Sequence, residues 1–239
     1  MRMLPRGVLA AGFTLCFAAA ADAQSRPAVI ELFTSEGCSS CPPAEAVLGE
    51  FARRENVLAL AFHVDYWDDL GWQDRFGIPD AAARQSAYSR VLGRSTIYTP
   101  QVIVDGRSEF LGSDRGRIDG AVSGVRAGVP ISVAIIGGEV RVELGAGRNQ
   151  VPSDVSLVTY LDRAVSAIGR GENSGRTLQE FNIVRSIQPL GHWNGTAESF
   201  RRPVSSLPTD ATGIAVLVQG TGQTQIIGAA TGELRQSTR

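Results

Sequence analysis

Two cysteines three positions apart, in Gly37-Cys38-Ser39-Ser40-Cys41-Pro42-Pro43, constrain this chain more than any other feature. They stand between an apolar, β-branched run at 28–34 and a run of helical spacing, and the third cysteine, Cys16, lies in a leader-like segment. Thiols at i and i+3 where a helix begins can close a small disulfide. A helix N-terminus also presents unpaired backbone N–H groups and a partial positive charge, which favour a thiolate. Cys38, at the exposed leading edge, is expected to attack, and Cys41, one turn further in, to resolve. The rival expectation is a structural disulfide, although so short a loop gains little from chain entropy.

The flanking sequence builds a strand–helix–strand unit. Pro42 and Pro43 suit the first turn of a helix, and Ala44, Val47, Leu48 and Phe51 then recur at helical spacing. A second apolar run at 57–64 predicts a parallel strand, because a crossover through a helix returns in the same direction. Sites gather beyond the carboxyl ends of such strands, so the segment 65–74, with Asp65, Tyr66, Trp67 and Trp72, is expected beside the cysteine loop. A helix at 79–92 follows, then a strand within 97–106 entered through Thr99-Pro100, a returning strand at 108–111 and a helix at 114–126 capped by Asp114.

After Gly128-Val129-Pro130 the pattern changes to strands and Gly-rich turns, at 131–136, 139–144, 155–168, 177–188, 213–219 and 224–230. This predicts an antiparallel β-sandwich-like domain over 129–239, following an α/β domain over 27–128. The polar stretch 169–176 reads as a mobile hairpin end.

Residues 1–23 have the form of a secretory signal: Arg2 and Arg6, an apolar run at 8–20, and Ala21-Asp22-Ala23. Export to the periplasm or outside the cell is the expectation, with no integral membrane span after cleavage, and an oxidising compartment lets a cysteine pair persist as a disulfide. The net charge of −1 gives no electrostatic reason to expect a nucleic-acid partner. All the basic residues are Arg, which removes lysine as a nucleophile or base.

The order strand, C-x-x-C, helix, strand, helix, strand entered at Thr99-Pro100, returning strand, helix resembles the thioredoxin fold. The stretch 31–45 together with His63-Val64-Asp65-Tyr66-Trp67 is similar to a group of secreted thioredoxin-like bacterial proteins known as a domain of unknown function. The resemblance implies that Pro100 is a cis-proline packed against the disulfide, and that Thr99 and Pro100 offer backbone to an extended substrate. The chain departs from thioredoxin in its Ser-Ser dipeptide, in lacking a Trp before the first Cys, and in a longer interval to Pro100.

The leading expectation is an exported thiol–disulfide oxidoreductase acting on protein thiols or disulfides, or on a small thiol. It has Cys38 and Cys41 as the redox pair and Thr99, Pro100, Asp65, Tyr66 and Trp67 as a substrate wall. No organic cofactor is needed, since two sulfurs carry the electrons. Glu31, alternating with Val29 and Phe33, either points toward the disulfide and takes the proton from Cys41 or faces away and pairs with an Arg. His63 is expected as a hydrogen-bonded core residue, with a base as the alternative. A copper or other soft-metal binding protein using Cys38, Cys41 and His63 is the rival from another class, and a non-catalytic adaptor with a structural disulfide is the third.

Overall fold

The run at 28–34 has one charged residue, Glu31, and the run at 57–63 has none besides His63. Such segments can be stable only when covered on both faces. In the computed structural model of this chain, which describes residues 24–147 and 151–234, both are buried strands throughout. The leader-like segment with Cys16 lies outside the described residues.

In chain order the elements are β1 (Gln24–Arg26), β2 (Ala28–Thr34), α1 (Pro42–Phe51), β3 (Val57–His63), α2 (Pro79–Val91), β4 (Gln101–Val104), β5 (Ser108–Leu111) and α3 (Arg115–Val122). Then come β6 (Arg126–Gly128), β7 (Ile131–Ile136), β8 (Glu139–Leu144), β9 (Ser153–Ala167), β10 (Thr177–Trp193), β11 (Glu198–Pro203), β12 (Gly213–Gly220) and β13 (Ile226–Glu233). The fold is mixed α/β and dominated by strands. One eight-stranded mixed sheet has the order β13-β12-β9-β10-β3-β2-β4-β5, a three-stranded sheet the order β11-β8-β7, and β1 pairs with β6.

β2 and β3 run parallel from Ala28↔Val57 to Thr34↔His63, so the cysteine loop and the segment after β3 leave the sheet side by side. On one face Ala28, Ile30 and Leu32 pack with Leu48 and Phe51 of α1 and Ile118 of α3. On the other, Val29 and Phe33 pack with Tyr88 of α2. Gly49 lets α1 lie directly on β10, since a Cβ there would come within 2.5 Å of the Phe181 ring.

The C-terminal half was expected as a separate sandwich, but four of its strands extend the same sheet that carries β2 and β3. Two facing antiparallel layers do form: Val140, Val142 and Leu144 of β8 pack on Leu157, Val216 and Trp193. One of those layers is the shared sheet. β10 joins it at Ile183↔Ala61, and Asn182 donates its side-chain amide to Ala59 O at 2.8 Å.

Strand β11, with its alternating exposed positions, was not anticipated, and Arg126 opens β6 rather than ending a helix. Its guanidinium instead binds the Ala121 and Val122 carbonyl oxygens at the end of α3. Among the described residues no helix is long and apolar enough to cross a membrane.

Candidate functional site

Cys38 and Cys41 are joined in a disulfide. Cys41 is the residue that caps α1, and Cys38 sits in the turn before it, with its N–H donating to Ser35 O at 3.1 Å. The helix start holds fewer free donors than expected: Pro42 and Pro43 have no N–H, and those of Ala44 and Glu45 both donate to Cys41 O. The helix dipole remains, but a thiolate here finds no row of unpaired amides.

Cys38 was expected at an exposed edge, and the structure corrects this: it is 0% exposed and Cys41 is 1% exposed. The 169–176 hairpin tip between β9 and β10 lies against this loop. Asn173, itself buried, donates its amide to Glu36 O and to Cys38 O, each at 2.9 Å. Glu172 accepts from Ser39 N at 3.2 Å, and Gly171 lies against Gly71 and Trp72. The stretch read as a mobile end is thus docked on the cysteine loop, and Ser39, Ser40 and Pro43 of the motif face solvent.

The residues expected around the pair divide into two groups. Thr99-Pro100 is a cis peptide, and a Cβ on Gly112 would touch Ala44, Leu32 and Pro100 at once, which places Pro100 beside the first turn of α1. Trp67 packs over Gly37 and donates its indole N–H to Thr99 Oγ1 at 2.9 Å, tying this turn to the cysteine loop. Asp65 accepts through its carbonyl from Asp68 N within its own turn and lies against Gly77, whereas Tyr66 turns aside to donate to Gln85 Oε1 at 3.1 Å.

Glu31 belongs to the other face. Arg84 Nε donates to its Oε1 at 2.6 Å and the Tyr88 hydroxyl to its Oε2, with Gln219 completing the network. The alternation of β2 dictates this, because Glu31 shares a side with Val29 and Phe33 while α1 covers Ile30 and Leu32. Of the two orientations open in the sequence, the Arg pairing is the one present, so the assignment of Glu31 to the redox pair is corrected.

The acid beside the disulfide is instead Glu45, four residues after Cys41 and so on the same helix face. Neither of its carboxylate oxygens has a hydrogen-bond partner, and burial pushes its pKa up to about 7. His63 Nε2 lies 3.9 Å from Glu45 Oε1, and His63 Nδ1 lies 2.7 Å from Asp74 Oδ2. Burial alone would lower the His63 pKa, but the Asp74 carboxylate outweighs it and raises it to about 9. Asp74 moves the opposite way: His63 and the N–H groups of Glu36 and Phe76 overcome its burial and lower its pKa. Glu180 of β10, raised to about 7 chiefly by burial, completes the cluster.

Glu45, His63 and Glu180, with Cys41, Thr34 and Glu36, line a cavity of about 490 Å³, and Asp74 stands behind His63. A larger one of about 860 Å³, beside Arg26, Asp105, Arg126 and Trp193, shares no lining residue with it. Among the described residues no group of three His, Cys, Asp or Glu is arranged to hold a metal ion. His192 pairs with Asp154 at the surface and Trp193 fills the second core. Glu45 was legible from its i+4 spacing to Cys41. Asn173 and Glu180 were not, because they reach the site from more than a hundred residues away.

The family model described as "Protein of unknown function (DUF1223)" matches residues 29–219. No curated protein matches the sequence. A crystal structure of a protein from Agrobacterium tumefaciens is similar, with a TM-score of 0.76 and 31% identity over 90% of this chain and 97% of that one. HBP35 of Porphyromonas gingivalis is similar in fold, with a TM-score of 0.60 and 13% identity over 88% of this chain and 76% of that one.

Proposed function

We propose, for a chain that belongs to the family described as "Protein of unknown function (DUF1223)", the activity of a thiol–disulfide oxidoreductase whose working bond is Cys38–Cys41. The observation that carries the reading is the company Cys41 keeps. A buried, unpartnered carboxyl group one helical turn away is a cost that a purely structural bridge has no use for. A thioredoxin-like reading of the N-terminal half is part of the proposal, supported by the sequence β2-α1-β3 with antiparallel β4 and β5 and by the cis Thr99-Pro100 turn beside α1. So is an exported location, where the bond can be oxidised and used.

In the direction that oxidises the protein, the Cys38 thiolate attacks one sulfur of a substrate disulfide and expels the other as a thiolate. Cys41 then gives its proton to Glu45 and attacks the Cys38 sulfur, forming the Cys38–Cys41 bond and releasing the second substrate thiolate. Two electrons pass from the protein thiols to the substrate, and both released thiolates take up protons. Reduction of the protein runs the same bonds backwards. Either course requires the 169–176 tip to lift from Cys38, and Thr99, Pro100 and Trp67 then form the wall against which a substrate lies.

The test is mixed-disulfide trapping. Reduced Cys41→Ala protein is incubated with oxidised glutathione and analysed by mass spectrometry. One glutathione on Cys38 is the expected result. No adduct, even when Asn173→Ala has loosened the tip, contradicts the reading.

A further inference from the structure

The cavity beside Cys41 is lopsided in its hydrogen-bonding capacity. Glu36 Oε1, both oxygens of Glu45 and Glu180 Oε1 are carboxylate acceptors without a geometric hydrogen-bond partner, and each belongs to a residue at least nine-tenths buried. Against these four oxygens stand two donor-capable atoms, the Thr34 hydroxyl and His63 Nε2. Buried acceptors left unpaired are costly. A group that satisfies several oxygens at once must bring several N–H bonds and no acceptor, which describes an ammonium.

Charge points the same way. Facing the cavity are Glu36 from the cysteine loop, Glu45 from α1, Glu180 from β10 and, behind His63, Asp74; His63 is the one buried cation among them. Glu50 and Arg53 sit at the rim, and Glu50 is already paired with Arg115. Arg75 reaches Glu36 only at 3.8 Å, from a side chain that is more than half exposed. The volume, about 490 Å³, is that of a small-molecule site.

We infer that this cavity is a specificity subsite, selecting small thiols and disulfides that carry a positively charged amine close to sulfur. The inference rests on the oxidoreductase reading and names its substrate class. In the balanced exchange above, an ammonium seated among Glu36, Glu45 and Glu180 would hold the substrate within reach of the Cys38–Cys41 pair, its sulfur exchanging at Cys38.

The experiment compares three probes of one reaction. Fully reduced protein is oxidised by cystamine, which carries two ammonium groups, by neutral bis(2-hydroxyethyl) disulfide and by doubly anionic 3,3′-dithiodipropionate. Each rate is divided by that of the same disulfide with dithiothreitol at the same pH. The expected order is cystamine fastest and dithiodipropionate slowest, with a ratio of roughly tenfold or more at low salt. In Glu180→Gln the ratio should fall by about threefold or more, and in Glu139→Gln, on the distant three-stranded sheet, it should stay unchanged. Equal normalised rates, or a ratio untouched by Glu180→Gln, overturn the subsite while leaving the oxidoreductase reading in place. Failure of all three disulfides to oxidise the protein overturns both.

Discussion

Asn173 donates its side-chain amide to the carbonyl oxygen of Cys38 across 135 positions of sequence, and so docks a hairpin tip on the loop that holds the buried disulfide. The contact is polar and small, made by one buried side chain in a tip whose other residues are largely exposed. Asn173→Ala removes both hydrogen bonds to the cysteine loop. It is expected to speed reduction of the disulfide by tris(2-carboxyethyl)phosphine severalfold while lowering stability by about 1–3 kcal/mol. An unchanged reduction rate in a destabilised variant would mean that the tip does not control access.

Glu45→Gln keeps the shape of the carboxyl but cannot accept a proton. Resolution of a glutathione adduct on Cys38 is expected to slow roughly tenfold to a hundredfold. The wild-type rate should rise with pH through about 7 as Glu45 ionises, and this limb should be missing in the variant. Rapid quenching with mass detection measures both.

The buried cluster also makes stability depend on pH. His63, raised from 6.5 to about 9, stabilises the fold below pH 6.5, and that contribution is lost as pH rises through 9. Glu45 and Glu180, raised from 4.5 to about 7, likewise favour the protonated folded state and lose their contribution as pH rises through 7. Asp74, lowered by His63, acts oppositely and weakens the fold as pH falls through the acid range. Urea unfolding with the disulfide intact should therefore show greatest stability near pH 4, above the Asp74 range and below the unfolded value of 4.5 for the two Glu. From there to pH 9 it should decline by on the order of 1–3 kcal/mol per group. A curve that is flat or rising over that interval would contradict the assignment.

Glu31→Gln separates structure from chemistry. It leaves Arg84 buried without its carboxylate partner and is expected to destabilise the protein by about 3–5 kcal/mol. The rate at which small disulfides oxidise the reduced protein should not change, since Glu31 lies on the face of β2 away from α1. A large drop in that rate with the fold intact would restore Glu31 to the redox site.

What could be read from the sequence was local. The limits of β2, β5, β7 and β8 follow from apolar runs and the turns that bound them, and Pro42-Pro43 marked the first turn of α1. The contacts that decide reactivity are long-range. Nothing near Asn173 announces that a polar hairpin end will bond to the backbone of Cys38, because a lone Asn among Gly, Ser and Glu has the composition of any exposed turn. The side on which Glu31 falls was undetermined for a related reason: β2 is apolar on both faces, so alternation names two sides without saying which one meets α1. The joining of β10 to β3 was hidden too, since one register pair and Asn182 make the link between two halves of different texture.

The central claim is that Cys38–Cys41 exchanges electrons rather than merely closing a loop. Equilibrating the protein in graded mixtures of reduced and oxidised glutathione or dithiothreitol, and counting free thiols after an acid quench, tests it most directly. The account predicts a single reversible two-electron transition between about −270 and −120 mV, where dithiol oxidoreductases operate. A bond that stays closed below about −300 mV, as structural bridges do, would contradict it.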